Sequence, residues 1–180
     1  CFAVGLCTPT REALKTPSDF KRHEAEFNNF KNEVTINLDS SGDPLYKRGY
    51  RSDINDAPMK EVLAAGLVKL SGWERHIELI DGMCGAGTIA IEAALWANNI
   101  PPGYYRPNFT FMKWHNYDEK LFETIYESCI SKIKNEPVNI IANDIDELTV
   151  KKAITNTKNA KVDDVVTCVN HSFFDLNPSR

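Results

Sequence analysis

The residues best suited to chemistry form a glycine-rich stretch at positions 79–88, which reads Leu-Ile-Asp-Gly-Met-Cys-Gly-Ala-Gly-Thr. An apolar run that begins at Ile77 enters this stretch, and apolar residues at helical spacing follow it from Thr88. In a strand, glycine loop and helix of this kind, the backbone approaches a ligand closely and the helix aims its free N–H groups at it. The stretch therefore predicts a site for a nucleotide-like ligand.

Two ligand classes compete for this loop. A dinucleotide would place its ribose on an acidic residue about 20 residues further on, but the acid that ends the next predicted strand, Asp144, comes much later. The loop also starts with Asp81, and a carboxylate there suits a cationic group better than a pyrophosphate. S-adenosylmethionine carries a sulfonium and an ammonium group and no phosphate. Asp81 thus favours a methyltransferase, and a nicotinamide-dependent dehydrogenase remains an alternative.

Length and composition restrict the class of protein. The chain has 180 residues, 42% of them hydrophobic, and a net charge of −4, which predicts one globular domain and argues against a general nucleic-acid binder without a local basic patch or a further domain. No apolar run has the length of a membrane span. The five cysteines form no CxxC pair, which predicts a reducing, cytoplasmic setting and no metal site. Because the chain begins with Cys1, we expect it to be part of a longer protein.

Hydrophobic patterning predicts an α/β fold with a parallel sheet and helices on both of its faces. Phe20, Phe27 and Phe30 suggest a charged helix, and a hairpin is expected from 34–38 through the turn at 39–44 to 45–51. A helix is expected to start at Ala57-Pro58 and to end near residue 70. The remaining strands are expected at 77–81, 138–144 and 165–169, and the remaining helices at 87–98, 118–134 and 147–160. A complete sheet of this kind usually has about five or six strands, so three strands predict only part of one.

Several motifs occur in the order typical of one enzyme family. They are Lys-Arg-Gly-Tyr-Arg at 47–51, Ala-Pro-Met-Lys-Glu-Val-Leu-Ala-Ala at 57–65, the glycine stretch extended to Ala94, Asn-Ile-Pro-Pro-Gly at 99–103 with Trp114, and Asn-Asp-Ile-Asp at 143–146. Over about residues 33–178 the chain resembles the THUMP-associated RNA methyltransferases. Within that family it is most similar to the bacterial 23S ribosomal RNA guanine-N2 methyltransferases.

The resemblance implies a partial Rossmann-like fold of the S-adenosylmethionine-dependent methyltransferases, preceded by a small N-terminal hairpin. Residues 1–52 would be an N-terminal segment with the end of a THUMP-type RNA-binding region, and residues 53–180 the N-terminal part of the methyltransferase domain. Asp144 would bind the ribose hydroxyls of the cofactor. The methionine side of the cofactor would be lined by Asp81, Cys84, Gly85 and Gly87. The full set of cofactor-binding residues implied is Asp81, Gly82, Met83, Cys84, Gly85, Gly87, Thr88, Asn143, Asp144, Ile145 and Ser172.

The chain departs from the family pattern at three positions, two in the glycine loop and one after the third predicted strand. Gly82 stands where the family has proline, and Ala86 where it has serine; both changes keep the loop tight. Ser172 stands where the family usually has an aspartate near the adenine amino group, which removes a charge there. Asp175 is a possible substitute.

The catalytic motif of amino-directed methyltransferases, Asn/Asp-Pro-Pro-Tyr/Phe, is not found. Asn177-Pro178-Ser179-Arg180 lacks the second proline, the aromatic residue and a preceding apolar strand. We expect the motif beyond Arg180, so the catalytic residues are unknown and this chain alone is expected to be inactive.

The resemblance implies methylation of the N2 amine of a guanine in 23S ribosomal RNA by direct displacement at the sulfonium methyl. Two alternatives stay open: an N6-adenine methyltransferase acting on RNA or DNA, and a non-catalytic fragment with a methyltransferase-like fold. Ribosomal RNA is the expected partner, no membrane is expected, and an exposed sheet edge would allow a homodimer.

Several individual side chains have two alternative roles. Asp144 is either a ribose ligand or a helix N-cap, whereas Asp146 is expected to cap the following helix. Cys84 is expected to be a small loop residue rather than a nucleophile, and Glu92 to be structural. His171 is either a ligand contact or structural.

Basic and aromatic residues at 46–51 have two possible roles. Lys47, Arg48 and Arg51, with Tyr46 and Tyr50 between them, would either contact an RNA backbone and its bases or form a solvated hairpin edge. In the predicted insertion, Trp114 and His115 would flank the target pocket, with core filling as the alternative for Trp114.

Overall fold

The computed structural model describes residues 25–30, 33–51 and 59–176. The chain divides into two compact units. One consists of residues 1–44 and 108–119, and the other of residues 45–107 and 120–180. The glycine stretch and all three parallel strands belong to the second unit.

The first unit contains an antiparallel pair of strands. Strand β1 (Ala25–Phe30) pairs with β2 (Glu33–Leu38), so that Ala25 lies opposite Leu38 and Phe30 opposite Glu33. Two predictions were therefore wrong: Phe27 and Phe30 lie in a strand rather than a helix, and the hairpin partner of 34–38 precedes it in the chain. Phe20 lies outside the described residues. A connection of two residues between the strands makes β1 the nearest possible partner of β2.

The predicted turn at 39–44 is present, although it joins no strand pair. The Asp39 carboxylate accepts hydrogen bonds from the backbone N–H groups of Ser41 (2.8 Å) and Gly42 (3.1 Å), which is typical turn chemistry. The same segment binds a short 3-10 helix, Thr110–Lys113, through a hydrogen bond from the Phe111 N–H to the Ser40 carbonyl at 3.0 Å. Residues 45–51 form no strand.

The second unit is built on a parallel sheet in the order β3-β4-β5. Its strands are β3 (Leu79–Asp81), β4 (Ile140–Asn143) and β5 (Val166–Val169). Each strand is shorter than predicted. At β3 the reason is visible: the Ile77 backbone is held in a turn by its N–H bond to the Glu74 carbonyl and by the Trp73 indole N–H, each at 2.8 Å.

Four helices lie in the described part of the chain: α1 (Glu61–Leu70), α2 (Thr88–Ala97), α3 (Glu119–Ile130) and α4 (Glu147–Asn159). Helix α2 packs against all three strands and against α1 and α4. Helix α1 starts later than predicted because the Lys60 backbone is still extended; Ala57 and Pro58 lie outside the described residues. Among the described helices, none is long and apolar enough to cross a membrane.

The core lies between α2 and the sheet. Helix α2 is apolar on nearly every side, as expected for a helix covered all round, and its small residues let the strands approach closely. Fully buried members of this core are Ala90, Ile91, Ala93, Ala94, Ile140, Ala142, Ala153, Ala160 and Val162. The core therefore fixes α2, whose N-terminus follows the glycine loop, relative to the carboxyl ends of the strands.

Candidate cofactor site

The predicted binding loop lies at the carboxyl ends of β3 and β4. Because these strands are parallel neighbours, the loop after Asp81 and the segment after Asn143 meet at one edge of the sheet. The Cys84 N–H donates to the Asn143 carbonyl at 2.7 Å, and the Gly85 N–H donates to Asp144 Oδ2 at 3.0 Å. Open α/β sheets bind their ligands at this edge.

Glycine is required at two positions of the loop. Gly85 and Gly87 have φ angles of +55° and +81°, a region that residues with a side chain seldom adopt. A Cβ on Gly87 would also lie 3.3 Å from the Cβ of Ala153. Asn156 supports the loop from α4, since its side-chain amide donates to the Ala86 carbonyl at 3.0 Å.

Asp81 is a half-buried carboxylate whose hydrogen bonds are incomplete. Burial raises its pKa to about 6, and the charge of Asp144 raises it as well, whereas hydrogen bonds from the backbone N–H groups of Met83 and Ala90 lower it. Its Oδ2 atom is buried and has no hydrogen-bond partner among the described residues. A carboxylate in this state favours a cationic ligand, which would supply the missing partner.

Asp144 and Asp146 have different roles. Asp146 caps α4, because its carboxylate accepts a hydrogen bond from the Thr149 N–H at 3.0 Å, and this confirms the predicted cap. Asp144 accepts from Gly85 N–H through Oδ2 and from Asp146 N–H through Oδ1, both at 3.0 Å. It is therefore not the helix cap. A carboxylate has about four lone-pair positions, so half-buried Asp144 can accept further hydrogen bonds.

Asn143 joins the loops that follow all three strands. Its side chain is fully buried and donates to the carbonyls of Gly82 (3.0 Å) and His171 (3.1 Å), while its Oδ1 accepts from the His171 N–H at 3.0 Å. These bonds use both donor hydrogens of the amide. Asn143 thus holds the three loops together, and His171 contributes its backbone N–H and carbonyl to these hydrogen bonds.

Exposed apolar side chains surround the loop. Met83 and Ile145 are 79% and 75% exposed. The Phe173 ring lies against Gly82, where a Cβ would be 2.5 Å from it, and Phe174 is 92% exposed. The sequence analysis missed both phenylalanines, although two consecutive aromatic residues after a strand end were a usable signal.

Ser172 lies at the start of this aromatic segment. Its hydroxyl accepts a long hydrogen bond of 3.4 Å from the Phe174 N–H and caps the 3-10 helix Phe173–Asp175. Asp175, the possible substitute for a charge at this place, is exposed.

Cys84 has the properties of a structural residue. It is only 8% exposed, and burial, together with the charges of Asp81 and Asp144, raises its pKa to about 12. The thiol is therefore neutral at physiological pH, which agrees with the prediction that it is not a nucleophile. Within the described ranges, no group of His, Cys, Asp and Glu residues could hold a metal ion.

Arg48 and Tyr50 have neither of the two predicted roles. Arg48 and Tyr50 are buried, at 8% and 1% exposure, so they form neither an RNA-contacting surface nor a solvated edge. Both bind Glu92 of α2: the Arg48 guanidinium lies 3.4 Å from its carboxylate, and the Tyr50 hydroxyl donates to it at 3.1 Å. Glu92 is therefore structural, as expected.

Other residues of the basic and aromatic group, and of the insertion, are placed as follows. Tyr46 lies beneath the Lys60 ammonium, 5.2 Å from its ring centre, and Lys47 is exposed. Trp114 and His115 belong to the first compact unit, in which Trp114 is half-buried and His115 exposed.

Residues 48–180 match the model of the UPF0020 family, described as an RMKL-like methyltransferase domain. The chain is 48% identical over 99 residues to ribosomal RNA large subunit methyltransferase K/L of Psychromonas ingrahamii, covering 55% of this chain and 13% of the relative. It is 35% identical over 163 residues to the protein of that name from Shewanella sediminis, covering 88% and 22%. It is 40% identical over 145 residues to "Putative RNA methyltransferase YpsC" of Bacillus subtilis, covering 80% and 37%.

Solved structures show the same fold. A "predicted N6-adenine-specific DNA methylase" from Listeria monocytogenes superimposes with a TM-score of 0.80 at 35% identity, over 86% of this chain and 41% of that one. "SMU.472, a putative methyltransferase complexed with SAH" superimposes with a TM-score of 0.82 at 30% identity, over 88% and 41%. These similarities confirm the expected partial Rossmann-like methyltransferase fold. The chain spans less than half the length of each of these proteins.

Proposed function

Because the chain belongs to the UPF0020 family of RMKL-like methyltransferase domains, we propose that its glycine loop binds S-adenosylmethionine and that the protein carrying it methylates RNA. Asp81 is the observation on which the cofactor assignment rests. Its buried Oδ2 lacks a partner, and the ammonium group of the cofactor would complete its hydrogen bonding. A pyrophosphate in the same place would be repelled by the carboxylate.

The remaining residues of the site fit the other parts of the cofactor. The N-terminus of α2 follows Gly85 and Gly87 and starts at Thr88, and a helix N-terminus suits the carboxylate of the methionine portion. Asp144 has lone pairs left for the two ribose hydroxyls. Gly82, Cys84 and Asn143 shape the loop.

The adenine would be held mainly by apolar contact. Exposed Met83, Ile145 and Phe173 offer such surfaces beside the loop, and Ser172 offers a hydroxyl where the family usually has a carboxylate. The bound cofactor supplies a methyl group on a cationic sulfur. The part of this chain is to orient that group, with Asp81 holding the ammonium group at the other end of the methionine portion.

The names of the relatives bear on the substrate. Two of the relatives are named ribosomal RNA large subunit methyltransferases, which supports ribosomal RNA as the target; within it, the N2 amine of a guanine is the target that the family resemblance implies. Catalytic contacts to the amine would come from residues beyond Arg180.

The same proposal covers the organisation of the protein. Residues 1–52 would end an RNA-binding region and residues 53–180 would begin the methyltransferase domain, in a cytoplasmic protein. A homodimer through an edge strand, β3 or β5, belongs to the same proposal.

A calorimetric titration of the complete protein with S-adenosylmethionine tests the cofactor. We expect binding that Asp144→Ala abolishes and that Asp164→Ala leaves unchanged, because Asp164 is an exposed aspartate preceding β5 at the opposite end of that strand. NAD⁺ should not bind. Binding of NAD⁺ in place of S-adenosylmethionine would contradict the proposal and support a dehydrogenase.

A second function, N6-adenine methylation, is favoured by one observation: a similar structure is described as an N6-adenine-specific DNA methylase. Transfer of a labelled methyl group from the cofactor to unmethylated ribosomal RNA or to DNA, followed by nucleoside analysis, separates the two. We expect N2-methylguanosine from RNA. N6-methyladenosine would support the second function, and cofactor binding without any transfer by the complete protein would support a non-catalytic role.

A further inference from the structure

A buried polar contact joins the segment 48–51 to the first two turns of α2. Thr88 and Glu92 are four residues apart and so lie on one face of the helix. Arg48 and Tyr50 bind Glu92, and Arg51 binds Thr88. The segment therefore follows the helix from its second turn back to the residue at which the glycine loop ends.

Arg51 is the member of this contact that reaches the loop. Its Nη2 donates to Thr88 Oγ1 at 2.9 Å and to the Met59 carbonyl at 3.0 Å, and it lies 3.6 Å from Glu61 Oε1. The side chains of Arg51 and Glu61 are only 12% and 6% exposed. One guanidinium thus connects the start of α1 with the start of α2.

Helix stability alone does not explain this arrangement. A cation is unfavourable at a helix N-terminus, where the backbone dipole is positive. A buried ion pair also gives little net stability, because both charges lose their hydration. In addition, Arg51 Nε is buried without a hydrogen-bond partner among the described residues. What the guanidinium does supply is a fixed position for Thr88, and with it for the N–H groups that follow Gly87.

We propose that Arg51 is a positioning residue for the cofactor site: by binding Thr88 and the backbone before α1, it holds the N-terminal turn of α2 where the loop must meet the methionine portion of the cofactor. This inference rests on the proposed function. It assigns to the Lys-Arg-Gly-Tyr-Arg segment a role in cofactor affinity rather than in RNA contact.

The test compares matched variants of the complete protein by calorimetry and by steady-state kinetics. Arg51→Met should weaken S-adenosylmethionine binding at least about tenfold, as expected for the loss of hydrogen bonds from a charged group. It should raise the KM for the cofactor more than it lowers kcat. Arg75→Met is the matched control, since Arg75 bonds to the Ala97 carbonyl at the other end of α2 and to Glu136. This variant should bind S-adenosylmethionine with the affinity of the unchanged protein.

Variants of Thr88 separate positioning from mere support of the fold. Thr88→Val removes the acceptor and should weaken binding, Thr88→Ser restores the acceptor and should recover affinity relative to Thr88→Val, and Arg51→Met combined with Thr88→Val should cost less than the sum of the two. If Arg51→Met does not fold, the difference in cofactor affinity between Thr88→Val and Thr88→Ser still tests the inference. Equal affinity in Thr88→Val and Thr88→Ser, or an Arg51→Met protein that is less thermostable but binds normally, would overturn the inference. Absence of binding in the unchanged protein would instead refute the proposed function itself.

Discussion

Asp81 carries a conflict between stability and binding. Its folded-state pKa of about 6 lies above the ordinary value of 3.8. The folded state therefore holds the proton more tightly than the unfolded chain does. The stability that this provides is fully present below about pH 4 and is lost as the pH rises through 6. At neutral pH the ionised carboxylate weakens the fold and favours a cationic ligand.

The first prediction concerns Asp81→Asn. We expect this variant, without ligand, to be more stable than the unchanged protein at pH 7.5 by about 1–3 kcal/mol, because no buried charge has to be formed. It should also bind S-adenosylmethionine at least about tenfold more weakly. Urea unfolding and calorimetry measure the two effects. A variant that is destabilised but binds normally would show that Asp81 only supports the fold.

The second prediction is the pH dependence of binding. A cationic ligand prefers ionised Asp81, so affinity should be constant above about pH 7 and fall as the pH drops through 6. Titrations between pH 5 and 8 measure this. Asp81→Asn is the control and should give a flat profile; an unchanged slope in that variant would assign the pH dependence to another group.

At the scale of elements, the loop depends on the join between β3 and α2. The third prediction compares two Gly→Ala substitutions. Gly87→Ala should destabilise the protein by about 1–3 kcal/mol, because φ is +81° and Ala153 is close. Gly66→Ala in α1 should stabilise it by about 0.5–1 kcal/mol, because nothing lies within 4 Å of the added Cβ. Thermal unfolding measures both; equal effects at the two positions would contradict the loop geometry.

The elements around the site were predictable because their signals are local. Apolar periodicity identified α2, α4 and all three parallel strands, and Asp146, directly before α4, was predicted to be its cap. The N-terminal hairpin was predicted wrongly because several segments alternate equally well, and register depends on the partner. Residues 48–51 read as an exposed strand, since nothing local shows that Glu92, more than forty residues away, would bury them.

At the scale of the whole molecule, the net charge of −4 bears on RNA binding. The fourth prediction is that this chain alone binds RNA weakly, with a Kd above roughly 10⁻⁵ M at physiological salt. The reason is that Arg48, Tyr50 and Arg51 are engaged in buried contacts. Filter binding over a range of salt concentrations measures it. Tight, salt-dependent binding that Lys47→Ala removes would show that the 46–51 segment does contact RNA.

Sequence motifs predicted which residues meet, but not what each one does there. Asp81, the glycine loop and Asp144 come together because parallel strands end at one edge of a sheet. Spacing along the chain does not encode side-chain packing. It therefore did not predict the burial of Asn143, the hydrogen bond from Gly85 N–H to Asp144, or the Phe173 ring against Gly82. Arg51 is the clearest case, because its partners are separated from it by 8 and 37 residues.

A crystal structure of the complete protein with S-adenosylhomocysteine would test the central claim most directly. We predict that the ammonium group lies within about 3 Å of the Asp81 carboxylate and that both ribose hydroxyls lie within about 3 Å of Asp144. A ligand bound away from the glycine loop, or with its ribose facing a residue other than Asp144, would contradict the account.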